Sequence, residues 1–374
     1  MLRPSGGTWV AGGLLLGAVV GCGGASGEKA PPVLAELPTL VAVTTAVGQP
    51  GLSTRSAIAI GPDGSWLFAS PDQTGSAVVL VTDSSPGGVP IGGIGEGPGE
   101  ARMPVPMIVD SAGVSAFDLA AARFTTWERA GELVSTHWMP PSVMPVVAMP
   151  DGRLLGGRSQ AGGRIPVVVD PATGKTTEVL APSDSLYQAL FETRGTHEVD
   201  VPGLKVVLGV WSGGVVIGNG ETFTFGLFDL HGERVALATL DLPPRYLGPA
   251  ELDRELDRLE SAGLLRRDPA RRAQARARLA GEQLPWVSHV SPPRSDGAGR
   301  LWIVRWGGTD SVVAELFAGS RHLGSLPLAC PDYGGEWALA GDWLALVCGP
   351  SDPADDHDAV VHRYRVRDRG SPAQ

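Results

Sequence analysis

Several residue types and motifs are scarce in this chain of 374 residues. Cysteine occurs three times, lysine occurs only at Lys29, Lys175 and Lys205, and asparagine occurs only at Asn219. The sequence contains no H-E-x-x-H, G-x-S-x-G or D-x-D-x-D-G run, which are local patterns of zinc hydrolases, serine hydrolases and calcium loops. We therefore predict no catalytic residue, no metal ligand and no cofactor from local motifs.

Charge and composition exclude further classes of protein. The formal net charge is −10, and an acidic surface argues against general binding of nucleic acid, which depends on neutralising phosphates. Glycine (52) and proline (32) fill more than a fifth of the positions, and each is costly inside a helix, which excludes a long helical bundle. The 43% of hydrophobic residues is enough for a large core.

The first residues are typical of an export signal. Residues 10–20 (VAGGLLLGAVV) form an apolar run too short to span a bilayer, which needs about 20 residues. The run ends in Val-Val-Gly-Cys at Cys22, which resembles the lipobox of bacterial lipoproteins. That resemblance implies a signal peptide over 1–21 and a diacylglycerol on the Cys22 thiol. The alternative is an ordinary secretory signal with an incidental cysteine.

The lipobox resemblance also implies an address in the bacterial cell envelope. Gly23 stands where an aspartate would direct a lipoprotein to the inner membrane, so the outer membrane is expected, with the protein facing the periplasm or the outside. Residues 22–36 are small, contain proline and show no periodicity, which predicts a flexible tether.

Two cysteines remain after Cys22. Cys330 and Cys348 lie in apolar runs on either side of a short strand-like segment. An oxidising compartment permits a disulfide between them if neighbouring strands bring their Cα atoms into range. The alternative is two buried free thiols.

One pattern recurs along the rest of the chain. A short apolar run meets a turn of Gly, Asp or Ser, and a second apolar run follows, which is a hairpin signal because Gly and Asp accept positive φ. The six instances begin at Ala57, Met107, Val146, Val206, Ser295 and Trp337. Intervals of about 40–50 residues with four strands each are typical of β-propellers.

The stretch over residues 92–134 carries a family resemblance. The run GEGPGE at 95–100, the proline at 104, and then IVDSAGVSAFD and RFTTWERAGEL resemble the blades of NHL-type six-bladed propellers. We predict an all-β fold, a six-bladed propeller over 37–368, followed by a tail at 369–374. The segment 37–47 is expected to supply the missing strand of the last blade, which leaves no free sheet edge.

Residues 249–281 depart from the repeat and predict an inserted helical hairpin. Leu252, Leu256 and Leu259 share one face, and Asp268-Pro269 begins a second helix as N-cap and first helical residue. Acidic residues concentrate in the first helix and arginines in the second. This segregation indicates either a docking arm for a partner or charges that pair between the helices.

Other candidate sites are weaker. The acidic cluster over 352–358 could bind Ca²⁺, but it contains a proline and resembles a solvated hairpin tip. Most tryptophans are expected to pack between blades. Arg123, Arg305 and Trp306 lie near strand ends, where a ligand in the central channel could contact them, but they do not define a site.

Two functions remain. The first is a membrane-anchored, non-catalytic module that binds a ligand, protein or glycan, and that is monomeric. The second is a propeller hydrolase, similar to lactonases or esterases, with a calcium ion in the channel. Such enzymes hold the metal with Glu, Asp and two or more Asn side chains, and the single Asn219 argues against this alternative.

Overall fold

The structure is a computed structural model that describes residues 37–49, 52–53, 56–69, 75–140, 142–160, 163–179, 206–261, 265, 268–281, 286–287, 291–307, 311–331, 333, 335–349 and 359–368. The chain divides into a unit over 1–35 and a unit over 36–374. The expected signal peptide, Cys22, the tether, the acidic cluster and the tail lie outside the described residues. No helix in the described part is long and apolar enough to cross a membrane.

The described part of the second unit contains six four-stranded antiparallel sheets, which confirms the six-bladed propeller. In chain order, blade 1 comprises β2 (Ile58–Ile60), β3 (Trp66–Phe68), β4 (Ser76–Thr82) and β5 (Ser85–Gly93). Blade 2 comprises β6 (Pro104–Val109), β7 (Val114–Asp118), β8 (Arg123–Trp127) and β9 (Leu133–Trp138). Blade 3 comprises β10 (Val143–Ala148), β11 (Leu154–Gln160), β12 (Gly163–Val169) and β13 (Thr176–Glu178).

The remaining three blades follow the same order. Blade 4 comprises β14 (Val206–Trp211), β15 (Gly214–Asn219), β16 (Thr224–Asp229) and β17 (Arg234–Thr239). Blade 5 comprises β18 (Arg294–Ser295), β19 (Leu301–Trp306), β20 (Ser311–Ala318) and β21 (Arg321–Ala329). Blade 6 comprises β22 (Trp337–Ala340), β23 (Trp343–Cys348), β24 (Val360–Arg367) and the first strand of the chain, β1 (Thr39–Gly48).

The first strand closes the ring. β1 pairs antiparallel with β24, with Thr39 opposite Arg367 and Gly48 opposite Val360. The expectation that residues 37–47 complete the last blade is therefore confirmed. Because the two ends of the propeller share one sheet, opening the ring requires breaking that ladder.

Six apolar clusters hold the blades together, one between each consecutive pair of blades. Blades 1 and 2 share one cluster, the next four pairs share one each, and blades 6 and 1 share the last. A single blade is too thin to hide its two apolar faces, so each face is covered by the neighbouring blade.

The aspartates of the repeat stabilise the turns that follow the first strands of four blades. Asp63, Asp110, Asp151 and Asp296 each accept a hydrogen bond from the backbone N–H two residues later, at 2.8–3.1 Å. An aspartate at this position replaces a backbone turn contact with its own side chain. The recurring Asp-Gly signal therefore marks the same structural position in four blades.

The GEGPGE run forms a tight loop around one arginine. Arg123 is buried and donates hydrogen bonds to the carbonyls of Glu96 (2.7 Å) and Glu100 (2.9 Å), with longer contacts to two of the glycine carbonyls in the run. Gly95 has a φ of +152°, and a Cβ there would collide with the Glu100 carboxylate. The loop therefore requires this glycine.

The helical hairpin is present as expected. α1 spans Pro249–Ser261 and α2 spans Pro269–Ala280. The Asp268 side chain accepts from the Ala270 N–H at 3.0 Å as the N-cap of α2. Leu252 and Leu256 are buried against Leu279, which gives the hairpin a small apolar core of its own.

Candidate functional site

The first strands of the blades form the innermost circle of the propeller. β2 contacts β22 and β6, β10 contacts β6 and β14, and β14 contacts β18. Polar and charged side chains beside these strands are therefore the groups closest to the central channel. Two of them stand out, Arg294 at the start of β18 and Glu336 directly before β22.

Five residues, which we name the blade 5–6 cluster, meet at this junction: Ser291, Arg294, Tyr333, Glu336 and Trp337. The Arg294 guanidinium carbon lies 5.9 Å from the centre of the Trp337 ring. The hydroxyls of Ser291 and Tyr333 are 3.1 Å apart. Ser291, Tyr333 and Trp337 are at most 8% exposed, whereas Arg294 and Glu336 keep part of their surface in solvent.

Two donors in the cluster have no acceptor. Arg294 Nε and Trp337 Nε1 are closed to solvent and make no hydrogen bond to any described residue. Buried polar atoms are nearly always paired, and an orphaned donor costs about 1–3 kcal/mol. The cluster therefore contains two buried N–H groups, of Arg294 and Trp337, that can still donate a hydrogen bond.

The electrostatics of the cluster are also unusual. Burial raises the pKa of Glu336 to about 8, against the opposing effect of the Arg294 charge. Burial lowers the pKa of Arg294 to about 10, and Glu336 opposes that change. No hydrogen bond between the two groups contributes to either pKa. At pH 7 the cluster therefore carries a protonated Glu336 carboxyl beside a charged Arg294 guanidinium, which gives it a net charge of about +1.

This arrangement can bind an acceptor-rich group or handle a proton. Arg294 and Trp337 offer only donors, while a protonated Glu336 offers one donor and one acceptor. Strongly perturbed titratable groups near a channel are typical of functional sites. The cluster is the candidate site.

A different glutamate, on the sheet of blade 5, has a complete set of hydrogen-bond partners. Glu315 is fully buried, and its Oε1 accepts from Arg305 Nε at 2.8 Å and Nη2 at 2.7 Å. Its Oε2 contacts His322 at 2.8 Å and accepts from Ser325 at 2.6 Å. All the groups of this network have partners, so its role is structural.

The structure uses the three residues singled out near strand ends for packing. Arg123 binds the GEGPGE loop and contacts Asp118 at 3.3 Å, and Arg305 binds Glu315. Trp306 lies beside the blade 5–6 cluster, where its Nε1 donates to the Tyr333 carbonyl at 3.2 Å and its ring centre is 6.0 Å from that of Tyr333. Only Trp306 borders the candidate site.

The other tryptophans largely pack as expected. Trp66, Trp127, Trp302, Trp337 and Trp343 are at most 5% exposed and belong to the clusters between blades. Trp211 is partly buried. The sequence therefore identified their structural role, but not the unpaired N–H of Trp337.

The predicted disulfide is present and adjoins the site. Cys330 and Cys348 are bonded, with Cα atoms 5.0 Å apart. Cys330 begins the loop that carries Tyr333 and Glu336, and the Pro331 carbonyl accepts from the Gly349 N–H at 2.6 Å. The bridge therefore ties this loop to β23.

The charges of the helical hairpin pair across it. Arg272 contacts Asp257 at 2.7 Å and Glu260 at 3.1 Å, and Arg276 pairs with Asp253. These contacts favour the structural interpretation of the charge segregation over a docking arm.

The sequence did not indicate Ser291, Arg294, Tyr333 or Glu336. The one available signal was a charged residue at the entry of a predicted innermost strand. Within the described ranges, no group of three or more His, Cys, Asp or Glu side chains is placed to hold a metal ion.

Comparisons with known proteins assign neither a family nor a function to the chain. No protein-family model matches the chain, and no curated protein matches it. Among solved structures, it is similar to a DUF4221 family member from Bacteroides vulgatus (9% identity, 89% of this chain and 99% of that chain, TM-score 0.48). It is also similar to a Bacteroides fragilis protein provisionally named as exported (11%, 88% and 95%, 0.49) and to the calcium-binding protein regucalcin from Agrobacterium tumefaciens (12%, 87% and 97%, 0.42).

Proposed function

We propose that this protein is a lipid-anchored propeller of the bacterial cell envelope that binds a small ligand, without transforming it, at the blade 5–6 cluster. The observation that carries this proposal is the pair of orphaned donors, Arg294 Nε and Trp337 Nε1, beside an innermost strand. A bound ligand with acceptor atoms removes the cost of leaving these donors unpaired.

A thermal-shift screen of the full-length protein in detergent tests ligand binding. Binding to the folded state at 100 times the Kd adds about 2.7 kcal/mol of stability. We expect at least one compound among organic acids, sugars, peptidoglycan fragments and metal ions to raise the Tm of the wild type. The shift should be lost in Trp337→Phe and in Arg294→Gln. The proposal is refuted if every compound that stabilises the wild type also stabilises Trp337→Phe and Arg294→Gln.

The cellular address rests on separate support. The disulfide is consistent with folding in an oxidising compartment, and the lipobox resemblance assigns the lipid to Cys22. Mass spectrometry of the native protein should find an acylated Cys22 as the first residue, and Cys22→Ala should move the protein from the membrane to the soluble fraction. A native protein without the lipid mass contradicts the anchor and leaves the binding site untouched.

A hydrolase is the second candidate, and one observation favours it. A carboxyl whose pKa is raised to about 8 is suited to donate a proton at neutral pH, as Glu336 could. Chromogenic lactones and esters, with and without Ca²⁺, test this alternative. Turnover that Glu336→Gln abolishes would replace the binding proposal with the enzymatic one.

A further inference from the structure

We infer that the blade 5–6 cluster binds a small monocarboxylate through the Arg294 guanidinium and the Trp337 indole N–H. This inference rests on the proposed function and names its ligand. Both orphaned groups are N–H donors, so the missing partner must supply acceptor oxygens.

The charge of the cluster selects a singly charged ligand. Arg294 supplies one positive charge, and among the described residues the titratable groups that interact with Glu336 are Arg294 from β18 and Tyr333 from its own loop. Burial raises the pKa of Tyr333 as well, so its hydroxyl stays neutral. One cation beside neutral donors balances a monoanion, and a carboxylate matches the planar guanidinium.

A protonated Glu336 adds to this selection. A neutral carboxyl can donate its O–H to a carboxylate oxygen, whereas an ionised one would repel the ligand. Binding of the anion therefore favours the proton on Glu336. Affinity should fall as pH rises through the pKa of that carboxyl, and Glu336→Gln should remove this dependence.

The surroundings select an apolar tail. The partly exposed Trp306 lies next to the cluster, with its ring centre 6.0 Å from that of Tyr333 and 5.2 Å from the Arg245 guanidinium carbon. An aromatic acid can contact the exposed part of Trp306 while its carboxylate meets Arg294. Benzoate and phenylacetate are therefore suitable probes.

Binding requires a rotation of side chains. The two orphaned atoms are closed to solvent, although part of the Arg294 side chain is exposed. No hydrogen bond to a described residue holds the Arg294 guanidinium. The exposed part of Arg294 can thus meet the carboxylate first, and rotation of the Arg294 and Trp337 side chains can then bring the two orphaned N–H groups to the ligand.

Calorimetry on the full-length protein in detergent tests the inference. Benzoate and phenylacetate should bind, and their primary amides should bind at least about tenfold more weakly because they lack the charge. Inorganic phosphate tests a different kind of anion, and we expect it not to displace benzoate. Trp337→Phe, which keeps a ring at this position, should weaken benzoate binding about tenfold, and Trp127→Phe in another cluster should leave it unchanged.

The outcomes separate this inference from the proposed function. Equal binding of acid and amide, displacement by phosphate, or no binding of either acid overturns the monocarboxylate. If a different compound from the screen still requires Arg294 and Trp337, the binding module stands and only its ligand was wrong. Benzoate binding that survives both Trp337→Phe and Arg294→Gln overturns the site itself.

Discussion

Replacing Trp337 by phenylalanine should cost the protein far less stability than the same replacement of Trp302. Both tryptophans are at most 1% exposed and both lie in the cluster between blades 5 and 6. The two substitutions remove a similar ring volume from the same core. Their difference therefore isolates what each indole N–H contributes.

The two N–H groups have opposite energetic roles. Trp302 Nε1 donates to the Asp296 carboxylate at 2.8 Å, and losing a hydrogen bond to a charged acceptor costs about 1.5–3 kcal/mol. Trp337 Nε1 has no acceptor among the described residues, so removing it relieves a desolvation cost of about 1–3 kcal/mol. Trp302→Phe should therefore be less stable than Trp337→Phe by at least about 2 kcal/mol.

Urea unfolding followed by circular dichroism measures this difference. The signal comes from the backbone, so the loss of one tryptophan does not distort it, and equal m-values show that both variants unfold from comparable states. If Trp337→Phe is destabilised as much as Trp302→Phe, the Trp337 N–H has a partner in the free protein. A ligand is then not needed as the partner of Trp337 Nε1.

Three further perturbations have defined outcomes. From about pH 4.5 to about 8 the folded protein keeps a proton on Glu336 that the unfolded chain releases. The free energy of unfolding should therefore fall with rising pH by up to about 1.4 kcal/mol per pH unit. Urea titrations at several pH values should show that this slope vanishes in Glu336→Gln and persists in Glu128→Gln. Replacing Cys330 and Cys348 by serine opens a bridge over 18 residues and should cost about 3 kcal/mol in the same assay, and an unchanged midpoint would refute this. Arg123→Met leaves a buried carboxylate without its cation and should cost about 3–5 kcal/mol by urea unfolding, more than Arg123→Lys, whereas equal losses would contradict that assignment.

The parts of the fold that the sequence predicted are those that local chemistry determines. Aspartates at the turns bind their own backbone, so Asp63 and Asp110 mark hairpins wherever they fall between apolar runs. Caps and apolar spacing likewise determine the helical hairpin, because Asp268 and the leucine face act within a few residues. The ring closure followed from counting strands, since a sixth blade with three strands needs a fourth.

The strands that the sequence missed are those that pairing determines. β5 (Ser85–Gly93) reads SPGGVPIGG, a composition with low intrinsic preference for strands. It is nevertheless a strand because it adds to the edge of β4, where Pro90 needs no second ladder partner. β18 is only two residues long, and its place in blade 5 depends on β19.

The candidate site could not be predicted for a related reason. Arg305 and Glu315 lie on adjacent strands of one sheet, two positions apart in register, so strand pairing alone brings the charges together. Arg294 and Glu336 lie on different blades, where packing of whole sheets sets the distance and no register fixes an ion pair. A sequence shows both pairs as an arginine and a glutamate among apolar residues. Only the folded ring shows that Arg305 and Glu315 bind each other, whereas Arg294 keeps an N–H donor without an acceptor among the described residues.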